Sequence, residues 1–190
     1  MHVYLETERL LLRRFTPGDV DVATELDADP AVMRYVTGGR STPRDEIRNV
    51  YLPGWIAYYA RGDRYGFWAA IEKGSGAFLG WFRLRPNEGD PDDEPELGYR
   101  LLASAWGRGY ATEGSRALIQ KAFEGLGARR VYATTMVVNV ASRRVMEKAG
   151  LRFVRVFHAP WPYRIDGDEL GDVEYALTRE EWEAGAATGT

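Results

Sequence analysis

From Leu101 to Glu113 the chain reads Leu-Leu-Ala-Ser-Ala-Trp-Gly-Arg-Gly-Tyr-Ala-Thr-Glu, a strand end running through two alternate glycines directly into a helix. Gly107 and Gly109 can adopt backbone angles closed to other residues. Successive N–H groups then form one concave nest, and the missing side chains let an anion approach. The helix that follows adds its unpaired N–H groups and the positive end of its dipole. A pyrophosphate cradle and a ligand-free glycine turn both fit these residues. Two familiar cradles do not. A Walker loop needs lysine directly after its glycine, and here none follows Gly109 until Lys121. A dinucleotide fingerprint needs a third glycine at Thr112 and an acid ending the next strand, which ends instead at Asn139.

Around this turn the hydrophobic period predicts an α/β chain. Leu5–Phe15 reads as a first strand. Val20, Ala23 and Leu26 follow at helical spacing until Asp29-Pro30 stops them. Thr42-Pro43 starts a second helix, which Pro53-Gly54 should break or kink. Strands are expected at Tyr65–Glu72, Ala77–Arg85 and Glu96–Leu102, with an exposed acidic loop over Pro86–Pro95. A helix over Ala111–Leu126, a β-branched strand over Val131–Val138 and a helix over Val140–Ala149 come next. Phe153–His158 and Val173–Leu177 close the sheet, and Ala184 onward reads as a frayed tail. The expectation is a mixed α/β sheet with an antiparallel middle and one crossover helix. It forms a single domain over residues 1–182, followed by a flexible tail over 183–190.

Composition removes several chemistries. The chain has 190 residues and no cysteine, so disulfides, thiolate metal sites and thiol nucleophiles are out. Its two histidines, His2 and His158, are too far apart for a histidine metal cluster, and no metal site is expected. With 25 Lys plus Arg against 28 Asp plus Glu, no basic stripe points to nucleic acid or an anionic membrane. No stretch approaches the ~18 apolar residues of a membrane helix. The first residues lack a signal-peptide cleavage site, so a cytoplasmic location is expected.

The segment Trp106 to Ala111 fits the pattern Arg/Gln-x-x-Gly-x-Gly/Ala with Trp106 in first place, within Trp-Gly-x-Gly-Tyr-Ala-Thr-Glu. A second element, Asn-x-x-Ser before a helix ending Glu-Lys-x-Gly, falls on Asn139, Ser142, Glu147, Lys148 and Gly150. With Thr7–Arg13 at the start and Glu174–Leu177 at the end, the chain resembles the GNAT superfamily of acyl-CoA-dependent N-acetyltransferases. Within it, the likeness is closest to the RimJ/RimL-like branch of ribosomal-protein N-terminal acetyltransferases, and it spans roughly residues 5 to 182. The resemblance implies a GNAT fold: a twisted sheet of about seven strands with some four flanking helices, splayed between the strands near 96–102 and 131–138. It implies acetyl-CoA as cosubstrate and transfer of its acetyl group to a primary amine, on a protein N-terminus or a small molecule. A non-catalytic acyl-CoA-binding regulatory domain is the alternative. A homodimer is left open.

The same resemblance assigns roles. The CoA pyrophosphate would sit on Trp106, Gly107, Arg108, Gly109, Tyr110, Ala111 and Thr112. The pantetheine arm would pair with backbone groups of Tyr99, Leu101 and Leu102 and with Asn139, which also suits a helix cap. Glu96 is the candidate base, set beside apolar neighbours that would tune it for proton acceptance; the bland alternative is a solvated loop end. Many members place a tyrosine acid seven residues after the asparagine. That position here is Met146, and Ser142 is the substitute donor the branch suggests. Glu113 needs only the helix dipole to explain it. Tyr35, Trp55, Tyr58, Tyr59, Trp161 and Tyr163 are candidates for an acceptor pocket, with Asp90–Glu96 to attract a cationic amine. His158 reads as structural.

Overall fold

The amino-terminal segment, expected as one strand, is a hairpin of β1 (Val3–Glu6) and β2 (Leu10–Arg14) in the computed structural model, which describes residues 2–188 except Tyr163. The Thr7 hydroxyl accepts the Leu10 N–H at 2.9 Å, and the Thr7 N–H donates to the Leu10 carbonyl at 2.9 Å. Asp29-Pro30 ends α1 (Val20–Ala28) but also starts α2 (Pro30–Thr37), which the sequence reading omitted. Asp29 Oδ1 accepts the Ala31 N–H at 2.8 Å, and Pro30 sits where its missing N–H costs nothing.

Pro53 does not break its helix. After α3 (Arg44–Glu46) the chain widens into a π turn over Ile47–Tyr51, with the Leu52 N–H reaching back to the Ile47 carbonyl, and α4 (Leu52–Tyr58) follows. A proline ring crowds the carbonyl one turn back, and the wider turn relieves that crowding.

The remaining elements are β3 (Gly66–Glu72), β4 (Phe78–Arg85), β5 (Glu96–Leu101), α5 (Tyr110–Gly125), β6 (Arg130–Met136), α6 (Val140–Lys148), β7 (Arg152–Phe157), β8 (Asp172–Thr178) and α7 (Arg179–Thr188). They build one sheet of eight strands in the order β1-β2-β3-β4-β5-β6-β8-β7. Every neighbour is antiparallel except β5 and β6, which run parallel with the single registered pair Glu96–Tyr132. Beyond Glu96 these two strands share no pairing, which is the expected splay.

Each face of the sheet has its own core. Leu10, Leu12, Phe82 and Leu97 pack with Leu118, Phe123 and Met146 under α5 and α6. Phe15, Val20, Leu26, Leu52 and Trp81 fill the other side under α1 and α4. The acidic loop after β4 is not a free solvated segment. Arg129 pairs with Asp93 and Glu94, Arg130 pairs with Glu94, and the Arg129 N–H donates to the Asp93 carbonyl at 2.8 Å.

Residues 179–188 form α7 where the sequence suggested fraying from Ala184. Thr178 and Glu181 cap the helix reciprocally, and Trp182 packs 5.4 Å from Phe123. The other residues of the expected tail, Gly189 and Thr190, lie outside the described residues.

Candidate active site

β5 leaves the sheet through a 3-10 turn over Ala103–Ala105 and enters the glycine turn. Gly107 and Gly109 have φ of 71° and 84°, the left-handed region the nest requires. The first bond inside α5 is Glu113 N–H to the Gly109 carbonyl at 3.0 Å, so the earlier N–H groups, at Tyr110, Ala111 and Thr112, find no partner within the helix. A Cβ on Gly107 would meet nothing within 4 Å, so the nest opens outward. These residues fit a pyrophosphate.

Side chains remote in sequence brace the nest. Glu113 accepts the Thr7 hydroxyl at 2.6 Å, the Arg9 N–H at 2.9 Å and Arg9 Nε at 2.7 Å. Arg9 Nη1 also reaches the Arg108 carbonyl at 2.9 Å. Burial would raise the Glu113 carboxyl, and the Thr7 and Arg9 contacts hold it below its ordinary value instead. Glu113 is thus a tether between α5 and the β1–β2 turn, beyond any dipole effect. Arg108 pairs with Glu72 at 3.1 Å, and the buried Tyr110 donates its hydroxyl to the same carboxylate.

The strand before the nest carries an open backbone edge. The Leu102 N–H donates to the Leu79 carbonyl at 2.9 Å and its carbonyl accepts from Ala105 at 2.9 Å, so Leu102 is committed away from the splay. Alternation along β5 therefore turns the backbone of Tyr99 and Leu101 toward β6, where no strand pairs with them. The Leu101 carbonyl accepts the Trp106 indole N–H at 2.9 Å.

On the α6 side of the splay, Asn139 caps its helix. Its Oδ1 accepts the Ser142 N–H at 3.2 Å and its Nδ2 donates to Thr135 at 3.1 Å. The Ser142 hydroxyl lies 3.0 Å from the Tyr99 hydroxyl, whose pKa burial pushes up to about 12. Tyr99 is therefore a neutral donor at any working pH. Met146 is packed in the core at 2% exposure.

On the opposite sheet face Glu96 is 3% exposed. Its surroundings are polar rather than the apolar ones expected. Oε2 accepts from Arg83 and, at 2.9 Å, from Asn87 Nδ2; Oε1 accepts the Thr134 hydroxyl at 2.8 Å. A carboxylate offers about four lone-pair positions, and three are taken. One remains, on Oε1.

The aromatic candidates divide. Trp55 packs against Phe15, Phe67 and Trp81. Tyr59 accepts the Phe15 N–H and donates to the Phe67 carbonyl, and Trp161 donates to Asp172 at 3.1 Å, so both are structural. Tyr35 lies beneath Arg34. Tyr58 lines a cleft on the Glu96 face of the sheet, together with Phe67, Arg85 and Asn87. Sequence reasoning missed Arg85. Tyr163 lies outside the described residues. His158 Nε2 contacts the Glu169 carbonyl, a structural position.

Among the described residues no group of three or more His, Asp or Glu could hold a metal, and no helix is long and apolar enough to cross a membrane.

The Acetyltransferase (GNAT) domain family matches residues 9–152. The chain is 37% identical over 185 residues to FsC-acetyl coenzyme A-N(2)-transacetylase of Aspergillus fumigatus, covering 94% of this chain and 77% of that protein. A GNAT-family acetyltransferase from Bacillus anthracis superposes with a TM-score of 0.78 at 26% identity, covering 95% of this chain and 100% of the other. RimL, a ribosomal alpha-N-protein acetyltransferase solved with coenzyme A, shares the fold with a TM-score of 0.78 at 19% identity, over 95% of this chain and 99% of that one.

Proposed function

The chain belongs to the GNAT acetyltransferase family, and on that premise we propose how its own residues carry out acetyl-CoA-dependent N-acetyl transfer. The observation that carries the reading is the unpaired β5 edge at Tyr99 and Leu101, which leads straight into the Gly107–Gly109 nest. An extended arm can add to that edge as a strand would, and its phosphates then meet the N–H groups that open α5. Acetyl-CoA supplies the activated thioester. We read residues 1–182 as the single domain that does this work.

The two sheet faces divide the chemistry. Glu96 keeps one acceptor position and receives a proton from the attacking amine, while Arg83, Asn87 and Thr134 hold the carboxylate in place. A C–N bond forms and the C–S bond breaks. From the α6 side Ser142, hydrogen-bonded to Tyr99, donates to the departing thiolate, and the end of α6 adds its dipole. A thiol of pKa near ~8.5 is a tolerable leaving group, so the serine stabilises charge more than it delivers a proton. Asn139 retains one amide hydrogen for the pantetheine arm. The acceptor is a primary amine, on a peptide N-terminus or a small molecule.

The test is a panel of small amines and N-terminal peptides with acetyl-CoA, free CoA being read with a thiol reagent. At least one acceptor is expected to release CoA in proportion to its acetylation. CoA binding without release for every amine would favour a regulatory acyl-CoA-binding domain. Gly109→Asp is expected to abolish CoA binding, read by calorimetric titration of the folded protein, because a side chain at φ 84° strains the turn and its Cβ lies 3.4 Å from Arg9 Nη2, the arginine that braces the nest. Unchanged binding would remove the cradle assignment.

A further inference from the structure

The cleft on the Glu96 face has a volume of about 790 Å³ and is walled by Tyr58, Phe67, Arg85 and Asn87. Arg85 pairs directly with Glu96 in the β4–β5 register, so their side chains leave the same face of the sheet about 5 Å apart at Cβ. Arg83, two residues earlier, is spent on Glu96. Arg85 is half-buried and, among the described residues, has no carboxylate at ion-pair distance. Its Nη1 donates to the neighbouring Pro86 carbonyl at 3.0 Å, and its guanidinium lies 5.5 Å over the Phe67 ring.

We propose that Arg85 binds a carboxylate on the acceptor, so that the substrate is a primary amine with a carboxylate a few bonds from its nitrogen. The proposal rests on the reading that the amine enters on the Glu96 face. A guanidinium has five donors in a planar fork that matches a carboxylate bidentately, and here most of them are unspent. Burial and the charge of Arg83 lower the Arg85 pKa, and a bound anion would relieve both stresses. The acids of the cleft do not compete for Arg85. Glu88 and Asp92 stand exposed at its mouth, and Asp90 accepts the Tyr132 hydroxyl and the Asn87 N–H. Arg61 and Arg64 also line the cleft, exposed and laid over Tyr58 and Tyr65, so its outer part carries both signs of charge, whereas the half-buried Arg85 is the guanidinium beside Glu96. Asn87 of the cleft wall donates to Glu96 Oε2, and Arg85 is the cross-strand neighbour of Glu96, so a carboxylate on Arg85 would bring an amine a few bonds away to the Glu96 carboxylate.

The experiment compares small amino acids with their carboxamides as acceptors, on the wild-type chain and on Arg85→Gln and Arg85→Lys. The carboxamide's amine is less basic and more often neutral, so intrinsic reactivity favours the amide. Wild type is expected to show a KM at least ~10-fold lower for the carboxylate member. Arg85→Gln should erase that difference by raising only the carboxylate KM, with the KM for acetyl-CoA unchanged, and Arg85→Lys should keep part of it. Calorimetric titration of the CoA-saturated protein with each pair gives the same comparison without turnover. Equal binding of the two members to wild type, or discrimination that survives in Arg85→Gln, overturns the proposal. Glu96→Gln tests the underlying reading separately. Wild-type kcat in that variant would move the amine site elsewhere, whereas an Arg85 effect on KM alone would not.

Discussion

Glu96 shows how much of a site residue's character comes from distant chain. As a carboxylate opening a strand it was legible from sequence, but its donors Arg83, Asn87 and Thr134 lie 13, 9 and 38 residues away. The local pattern of apolar neighbours therefore suggested the wrong surroundings. Glu96→Gln is expected to lower kcat by roughly 10²-fold with little change in CoA affinity, and to recover in part at alkaline pH as the amine deprotonates unaided. Steady-state kinetics against pH check this. Ser142 depends likewise on Tyr99, 43 residues away. Ser142→Ala should slow turnover ~10- to 100-fold, about 1.4 to 2.7 kcal/mol of barrier, since thiolate departs without a full proton transfer. Wild-type turnover in that variant would leave the chain without a leaving-group donor.

At the scale of the element, α5 links binding to packing. Its N-terminal turn forms the nest, and one turn further on Gly114 lets the helix lie directly against β4. A Cβ at Gly114 would fall 2.3 Å from Phe82 Cζ, in a core where Phe82 has no room to retreat. Gly114→Ala is therefore expected to destabilise by ~1–3 kcal/mol through overpacking, exceeding the ~1 kcal/mol that alanine gains in a helix interior. Calorimetric melting decides between them. A rise in Tm would mean the helix can shift outward, and the nest with it. Gly107 and Gly109 were readable from spacing because their requirement is a local backbone angle. The close approach at Gly114 was not, because it depends on what β4 places opposite.

Over the whole molecule, carboxylates pinned by arginines tie the sheet to its helices and loops. Burial by itself would raise Asp19, Glu113 and Glu174, but hydrogen bonds outweigh it in each case. Arg13 and Thr16 hold Asp19 below its ordinary value, Thr7 and Arg9 do so for Glu113, and Arg130 and Arg155 for Glu174. Each binds fewer protons folded than unfolded, so its contribution is complete above the ordinary carboxylate range and is lost as pH falls through the lowered folded value. Melting temperature should be nearly flat from about pH 7 to about pH 5 and fall steeply below about pH 4. Glu174→Gln should lower Tm at neutral pH and make the acid slope shallower; an unchanged slope would remove Glu174 from that account. What the sequence by itself determined is the set of features that depend on neighbours along the chain: the order of strands and helices from β3 to β8, the glycine nest, the Asn139 cap, and the acetyltransferase family those motifs carry. Backbone propensity and side-chain period act over a few residues, so they are written locally. Only the tertiary structure decided that Thr7 splits the first strand, that a π turn absorbs Pro53, that Glu113 is a tether, and that Arg85 faces Glu96 without an acid of its own. Each of these depends on which distant side chain satisfies a charge or fills a space, and the sheet's register sets that.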